Sequence, residues 1–125
     1  MTKLLVVEDD ANQRRLYRQE LEDEGYEVAT VASGREALAQ IGKDRPDLVI
    51  MDISMPGMDG IEALGKVLGV DNTIPVILNT AYANYRDNFL SWAADAYVVK
   101  SSELDELKAT IKTVLKKRSE GEKPA

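Results

Sequence analysis

Four short apolar runs in this sequence end in side chains that can bind a cation or handle phosphate. The run ending at Val7 is followed by Glu8, Asp9 and Asp10, and the run ending at Met51 by Asp52. The run ending at Leu78 leads into Asn79 and Thr80, and the run ending at Val99 into Lys100. On neighbouring strands these would place carboxylates from two strands, a hydroxyl from a third and an ammonium from a fourth at one end of a sheet. Two carboxylates about 4 Å apart repel by roughly 4 kcal/mol at an effective dielectric near 20, enough to force a proton onto one of them unless a cation intervenes. A hard divalent cation removes the conflict. Magnesium suits the set because it takes oxygen ligands, keeps several waters and is commonly held by one or two carboxylates plus phosphate oxygens. With a cation in place Asp52 stays ionised and nucleophilic, and Lys100 and Thr80 are of the types that hold an incoming phosphoryl group. The parts predict phosphoryl transfer to a carboxylate.

Positioning them requires a fold, and composition limits which folds are available. With 125 residues, 44% hydrophobic and 30% charged, the chain fits one globular domain. The absence of cysteine excludes a disulfide framework and thiolate metal sites, and the absence of histidine removes the commonest general base and transition-metal ligand. Twenty-two acidic against sixteen basic residues, a net charge of -6, favour a cation over a polyanion as ligand. The opening MTKLLVVEDD is too short and wrongly flanked for a signal peptide, and no apolar stretch approaches spanning length. A cytoplasmic protein is the expectation.

Apolar or β-branched runs at residues 4–7, 26–31, 47–51, 75–78 and 96–99 predict five strands. Each intervening segment opens on a side chain able to cap a helix: Asp10 with Gln13, Ser33 with Glu36, Asp59 with Glu62, Asn84 with Asp87, and Ser102 with Asp105. In the last of these, Leu104, Leu107, Ile111, Val114 and Leu115 form one buried stripe, and Ala37, Leu38 and Ile41 do so in the second. Strands alternating with helices call for an α/β fold, a parallel sheet covered on both faces. LLVV, LVIM and PVIL read as central strands, whereas YEVAT alternates like an edge. Such sheets carry their functional sites at the carboxyl ends of the strands, where the strand order reverses. The expected domain spans residues 1–118, with a polar tail at 119–125.

The stretches LLVVEDD, DLVIMDISMPGMDG, NTA and AYVVK, at successive strand ends, resemble the receiver domains of two-component response regulators, the CheY-like family. The likeness covers residues 3–115. It implies a flavodoxin-like, doubly wound sheet of five strands and five helices in the order 2-1-3-4-5. It further implies that Asp52 is the phosphoacceptor and that Mg2+ is bound by Asp9 and Asp52 directly, by Glu8 through water and by the backbone carbonyl of Ser54. Thr80, Lys100 and the backbone amide of Ala81 would hold the phosphoryl oxygens, and Thr80 and Tyr97 would be the switch pair. The implied phosphoryl source is a sensor histidine kinase or a histidine phosphotransfer protein, which supplies the histidine this chain lacks. The implied readout is the face of the fourth helix, fifth strand and fifth helix, toward a downstream protein target or a second copy of the chain. Direct contact with nucleic acid or membrane is not expected. The chain is read as a free-standing receiver that catalyses only its own phosphorylation and dephosphorylation.

Two departures from the family pattern stand out. Ser101 follows Lys100 where receivers usually carry proline, often after a cis bond. A cis bond before a non-proline residue costs about 3 kcal/mol, so a trans bond and an altered path after Lys100 are expected. Tyr82 and Ser54 occupy positions flanking the path of attacking water, and a bulky Tyr82 is expected to slow loss of the phosphoryl group. Tyr85, Phe89 and Trp92 form an aromatic stripe, read as packing for Phe89 and as core or partner anchors for the other two. Asp10 and Asp59 are read as caps. Gly57 and Gly60 make only GxxG, which does not support nucleotide binding. The run 116–118 reads as favourable charge at a helix C-terminus. Two other readings remain: a degenerate receiver that binds protein without phosphorylation, and a magnesium-dependent aspartyl phosphohydrolase. The second usually has another aspartate where Ser54 stands.

Overall fold

The computed structural model describes residues 1–52, 65–66, 69, 73–80, 95–100 and 104–119. Within them the chain forms β1 (Lys3–Val7), α1 (Ala11–Asp23), β2 (Glu27–Val31), α2 (Gly34–Lys43), β3 (Leu48–Met51), β4 (Val76–Thr80), β5 (Ala96–Val99) and α3 (Asp105–Ser119). The strands make one sheet in the order β2-β1-β3-β4-β5, every pair parallel. This is the doubly wound arrangement expected from the sequence, with YEVAT at one edge. Of the third expected helix, residues 65–66 and 69 are described and are helical; the fourth expected helix, the caps Asp59, Asn84 and Ser102 and the tail beyond Ser119 lie outside the described residues.

The two-residue period of each strand sorts its side chains into two cores. Leu5, Val7, Val49, Met51, Val76 and Leu78 pack with Ala37 and Ile41 of α2 on one face. Leu4, Val6, Leu48, Ile50, Ile77 and Val98 pack on the other with Tyr17 and Leu21 of α1 and Leu107, Ile111 and Val114 of α3. Right-handed crossovers that run outward from β1 to β2 and then back past β1 to β3 must place α1 and α2 on opposite faces. The order therefore reverses between β1 and β3, and a crevice opens there at the carboxyl ends.

Local chemistry fixes the helix ends. The Asp10 carboxylate accepts from Asn12 N at 2.8 Å and Gln13 N at 3.1 Å, confirming its reading as a cap. Ser33 Oγ accepts from Glu36 N at 3.2 Å, and Glu36 Oε2 accepts in return from Ala32 N at 2.6 Å. α1 ends at Asp23 and the chain turns at Gly25, whose φ of 96° lets Tyr26 N–H reach Leu21 O while the Gly25 N–H reaches Glu22 O. That paired closure favours glycine at the turn.

The predicted stripe of α3 is buried at Leu107, Ile111 and Val114. Ile111 is fully buried, and Ile111→Ala is expected to lower stability by about 3 kcal/mol through lost transfer energy and a residual cavity. Urea denaturation checks this as a shift in midpoint at unchanged slope.

One boundary matters for function. The apolar run suggested that β4 would end at Leu78, but the strand continues through Asn79 and Thr80, which pair in register with Val98 and Val99 of β5. The register partner β5 extends far enough to keep both residues in the ladder, so the apolar pattern ended before the pairing did. Thr80 is thus carried on a paired strand end rather than on the loop beyond it.

Candidate functional site

Glu8 and Asp9 directly follow β1, and Asp52 directly follows β3, so the three acids sit at the topological switch point. One carboxylate oxygen from each lies within 4.8 Å of the others. Glu8 is 2% and Asp52 7% exposed, while Asp9 faces solvent. Lys100, after the edge strand β5, reaches across β4: its Nζ donates to Asp52 Oδ2 at 2.9 Å and to Glu8 Oε1. Four side chains from three strand ends therefore meet in one crevice.

Burial pushes the Glu8 carboxyl above the usual carboxylate range, against the pull of Lys100 and with the neighbouring Asp9 adding to the rise. Burial alone would lower Lys100, but its hydrogen bonds to Glu8 and Asp52 outweigh that and hold the ammonium above its ordinary value. Among the described residues, three carboxylates gather at the Lys100 ammonium, and the surplus is negative. The donors are all oxygen, two are buried and one is open to water, which fits a hard cation that keeps part of its hydration shell.

The acidic loop is braced in a way the sequence did not disclose. Arg14 on α1 donates from Nη1 to the carbonyls of Glu8 at 2.8 Å and Asp9 at 2.9 Å, and Asp10 N donates to Glu8 Oε2 at 3.2 Å. A basic residue early in the first helix was the available signal. Below the crevice, Tyr17 and Asn79 share a buried hydrogen bond. Asn79 was visible as a polar residue at the end of PVIL, but its partner is 62 residues away in sequence.

Tyr97 lies on β5, half-buried against the α2-side core. Ser54, Ala81, Tyr82, Tyr85, Phe89, Trp92 and Ser101 lie outside the described residues, so the carbonyl, amide, aromatic and trans-bond expectations attached to them do too. Thr80 is placed by its backbone at the end of β4. No helix among the described residues is long and apolar enough to cross a membrane.

A doubly wound parallel sheet with acids at its switch point and a lysine reaching them defines an acidic α/β module suited to holding a hard cation. Residues 4–112 match the family model of the response regulator receiver domain, and the chain belongs to that family. Receiver domains are the phosphoacceptors of two-component signalling. The chain is 36% identical over 118 residues to the transcriptional regulatory protein PrrA of Mycobacterium tuberculosis, covering 93% of this chain and 51% of PrrA. It therefore spans about half the length of that relative. Among solved structures, response regulator protein TrrA from Thermotoga maritima in complex with Mg2+-BeF is 46% identical, with a TM-score of 0.88 over 91% of this chain and 99% of that one. A structure of the histidine kinase ThkA in complex with TrrA matches at 47% identity and a TM-score of 0.86, covering 92% and 99%.

Proposed function

We propose that this chain accepts a phosphoryl group on Asp52 in a Mg2+-dependent reaction and thereby switches a protein-binding surface. The observation that carries the reading is the meeting of Glu8, Asp9 and Asp52 with Lys100 bonded to two of them. Bound Mg2+ would supply charge neutralisation during the transfer. Asp9 and Asp52 would hold it directly, Glu8 through water, and the Ser54 carbonyl would complete the protein ligands. The complex of TrrA with Mg2+-BeF, a similar protein, supports that assignment.

In the transfer, an Asp52 oxygen forms the new P–O bond as the P–N bond of the donor phosphohistidine breaks. The electron pair stays on the imidazole nitrogen, which takes up a proton. Lys100 donates to one Asp52 oxygen and so fixes the orientation of the attacking carboxyl group in the crevice. Lys100 then turns to a phosphoryl oxygen, with Thr80 and the Ala81 amide holding the others. Moving a two-state equilibrium from 1:99 to 99:1 needs about 5.5 kcal/mol of differential interaction, and these new contacts supply it. Tyr97 and Thr80 would pass the change to the surface around β5 and α3, where a downstream protein or a second copy docks.

The donor is a histidine kinase or a histidine phosphotransfer protein, supported by the ThkA–TrrA complex and by the absence of histidine here. Incubation with Mg2+ and a small phosphodonor, followed by intact mass, tests the reading. A stable gain of one phosphoryl group that chelator prevents is expected. Rapid release of free phosphate without a stable gain would favour a hydrolase, and no gain would favour a phosphorylation-independent binding module.

Asp9→Asn removes the exposed carboxylate of the three. It is expected to weaken Mg2+ binding at least about ten-fold, measured by titration calorimetry, while leaving the unfolding midpoint near that of the wild type.

A further inference from the structure

The Tyr17 hydroxyl and the Asn79 carboxamide are polar groups set into an apolar layer. Both residues are 4% exposed. On the face toward α1 and α3, the other inward positions of β1, β3 and β4 are Leu4, Val6, Leu48, Ile50 and Ile77. An amide in such a layer is tolerated when it is hydrogen-bonded. Asn79 Nδ2 donates to the Tyr17 hydroxyl at 3.2 Å, and that hydroxyl donates to Gln13 Oε1 at 3.4 Å.

These bonds join two elements that serve the site from different sides. α1 starts at the Asp10 cap, next to Glu8 and Asp9. β4 ends at Thr80, the residue after Asn79, and the register partner of Thr80 is Val99, the residue before Lys100. A bond from Tyr17 to Asn79 therefore sets the end of β4 against the helix that carries the acidic loop.

We propose that Tyr17 is a positioning residue of the phosphoryl-receiving site, acting through Asn79. The bond fixes the backbone of Thr80 relative to Glu8, Asp9 and Lys100 before the phosphoryl group arrives. The inference rests on the function proposed above. Small displacements of groups that position a reacting centre lower rates steeply, so loss of the hydroxyl should act on the rate as well as on stability.

The test compares wild type, Tyr17→Phe, Asn79→Val and the double variant, with Mg2+ and acetyl phosphate as donor. Tyr17→Phe is expected to lower the limiting phosphorylation rate about ten-fold, with the donor and Mg2+ concentrations for half-saturation unchanged. The double variant, which leaves no unpaired amide, is expected to recover thermal stability but not the rate. A Tyr17→Phe chain with the wild-type limiting rate overturns the inference alone. A double variant that recovers both stability and rate also overturns it, because packing would then suffice. A wild-type chain that gains no phosphoryl group overturns the parent reading and this inference together.

Discussion

An Asp52→Asn chain is expected to gain no phosphoryl group under conditions that phosphorylate the wild type fully. The carboxamide has nearly the same shape, but its oxygen is neutral and a poor nucleophile, and it contributes no charge to a cation site. Removing a nucleophile outright lowers rates by several orders of magnitude, so a fall of at least about 10³-fold is expected. Misfolding would not account for it. Asp52 lies among Glu8 and Asp9, with one oxygen of each within 4.8 Å, so neutralising it relieves repulsion while Lys100 keeps its bond to Glu8. The urea midpoint should hold or rise, and intact mass should show the unmodified chain. A variant that still gains the group would place the acceptor elsewhere.

Lys100→Met should have the second largest effect, and it should appear in stability as well as in chemistry. The ammonium bonds two carboxylates that are 2% and 7% exposed, and its own side chain is 14% exposed. Removing one partner from a buried ionic group leaves the others uncompensated, at a cost of about 3 kcal/mol. Added Mg2+ should restore part of that loss, since a divalent cation compensates the same carboxylates. The pH dependence has a defined sign. A lysine whose folded pKa lies above its unfolded value of 10.5 contributes stability fully below that value and loses it as pH rises through the folded one. The difference in stability between wild type and Lys100→Met should therefore be full at neutral pH and shrink in strong alkali. Denaturant titrations at both pH values, with and without Mg2+, measure this. Equal stability of the two chains at neutral pH would contradict the bridging role.

The fold was legible in the sequence because its signals are local and repeated. LLVV, LVIM and PVIL are apolar enough to be central strands, and Asp10 and Ser33 cap where a short polar side chain precedes a helical stripe. The acids and Lys100 were legible because strand ends in a parallel sheet share one edge, so order along the chain predicts proximity in space. Arg14 and Tyr17 were not. Arg14 acts on backbone carbonyls, which leave no mark in side-chain pattern, and Tyr17 falls on an apolar stripe where an aromatic residue reads as packing. The apolar run stops two residues short of the end of β4, because Asn79 and Thr80 break it while the ladder to β5 continues.

Asp52 is the residue proposed to take the phosphoryl group. Borohydride converts an aspartyl phosphate to homoserine, so phosphorylation with Mg2+ and acetyl phosphate, reduction and peptide mass mapping identify the acceptor directly. Homoserine is expected at position 52 and only when Mg2+ is present. Homoserine at Asp9 or any other acid, or unchanged Asp52 in a chain whose mass has risen by one phosphoryl group, would contradict it.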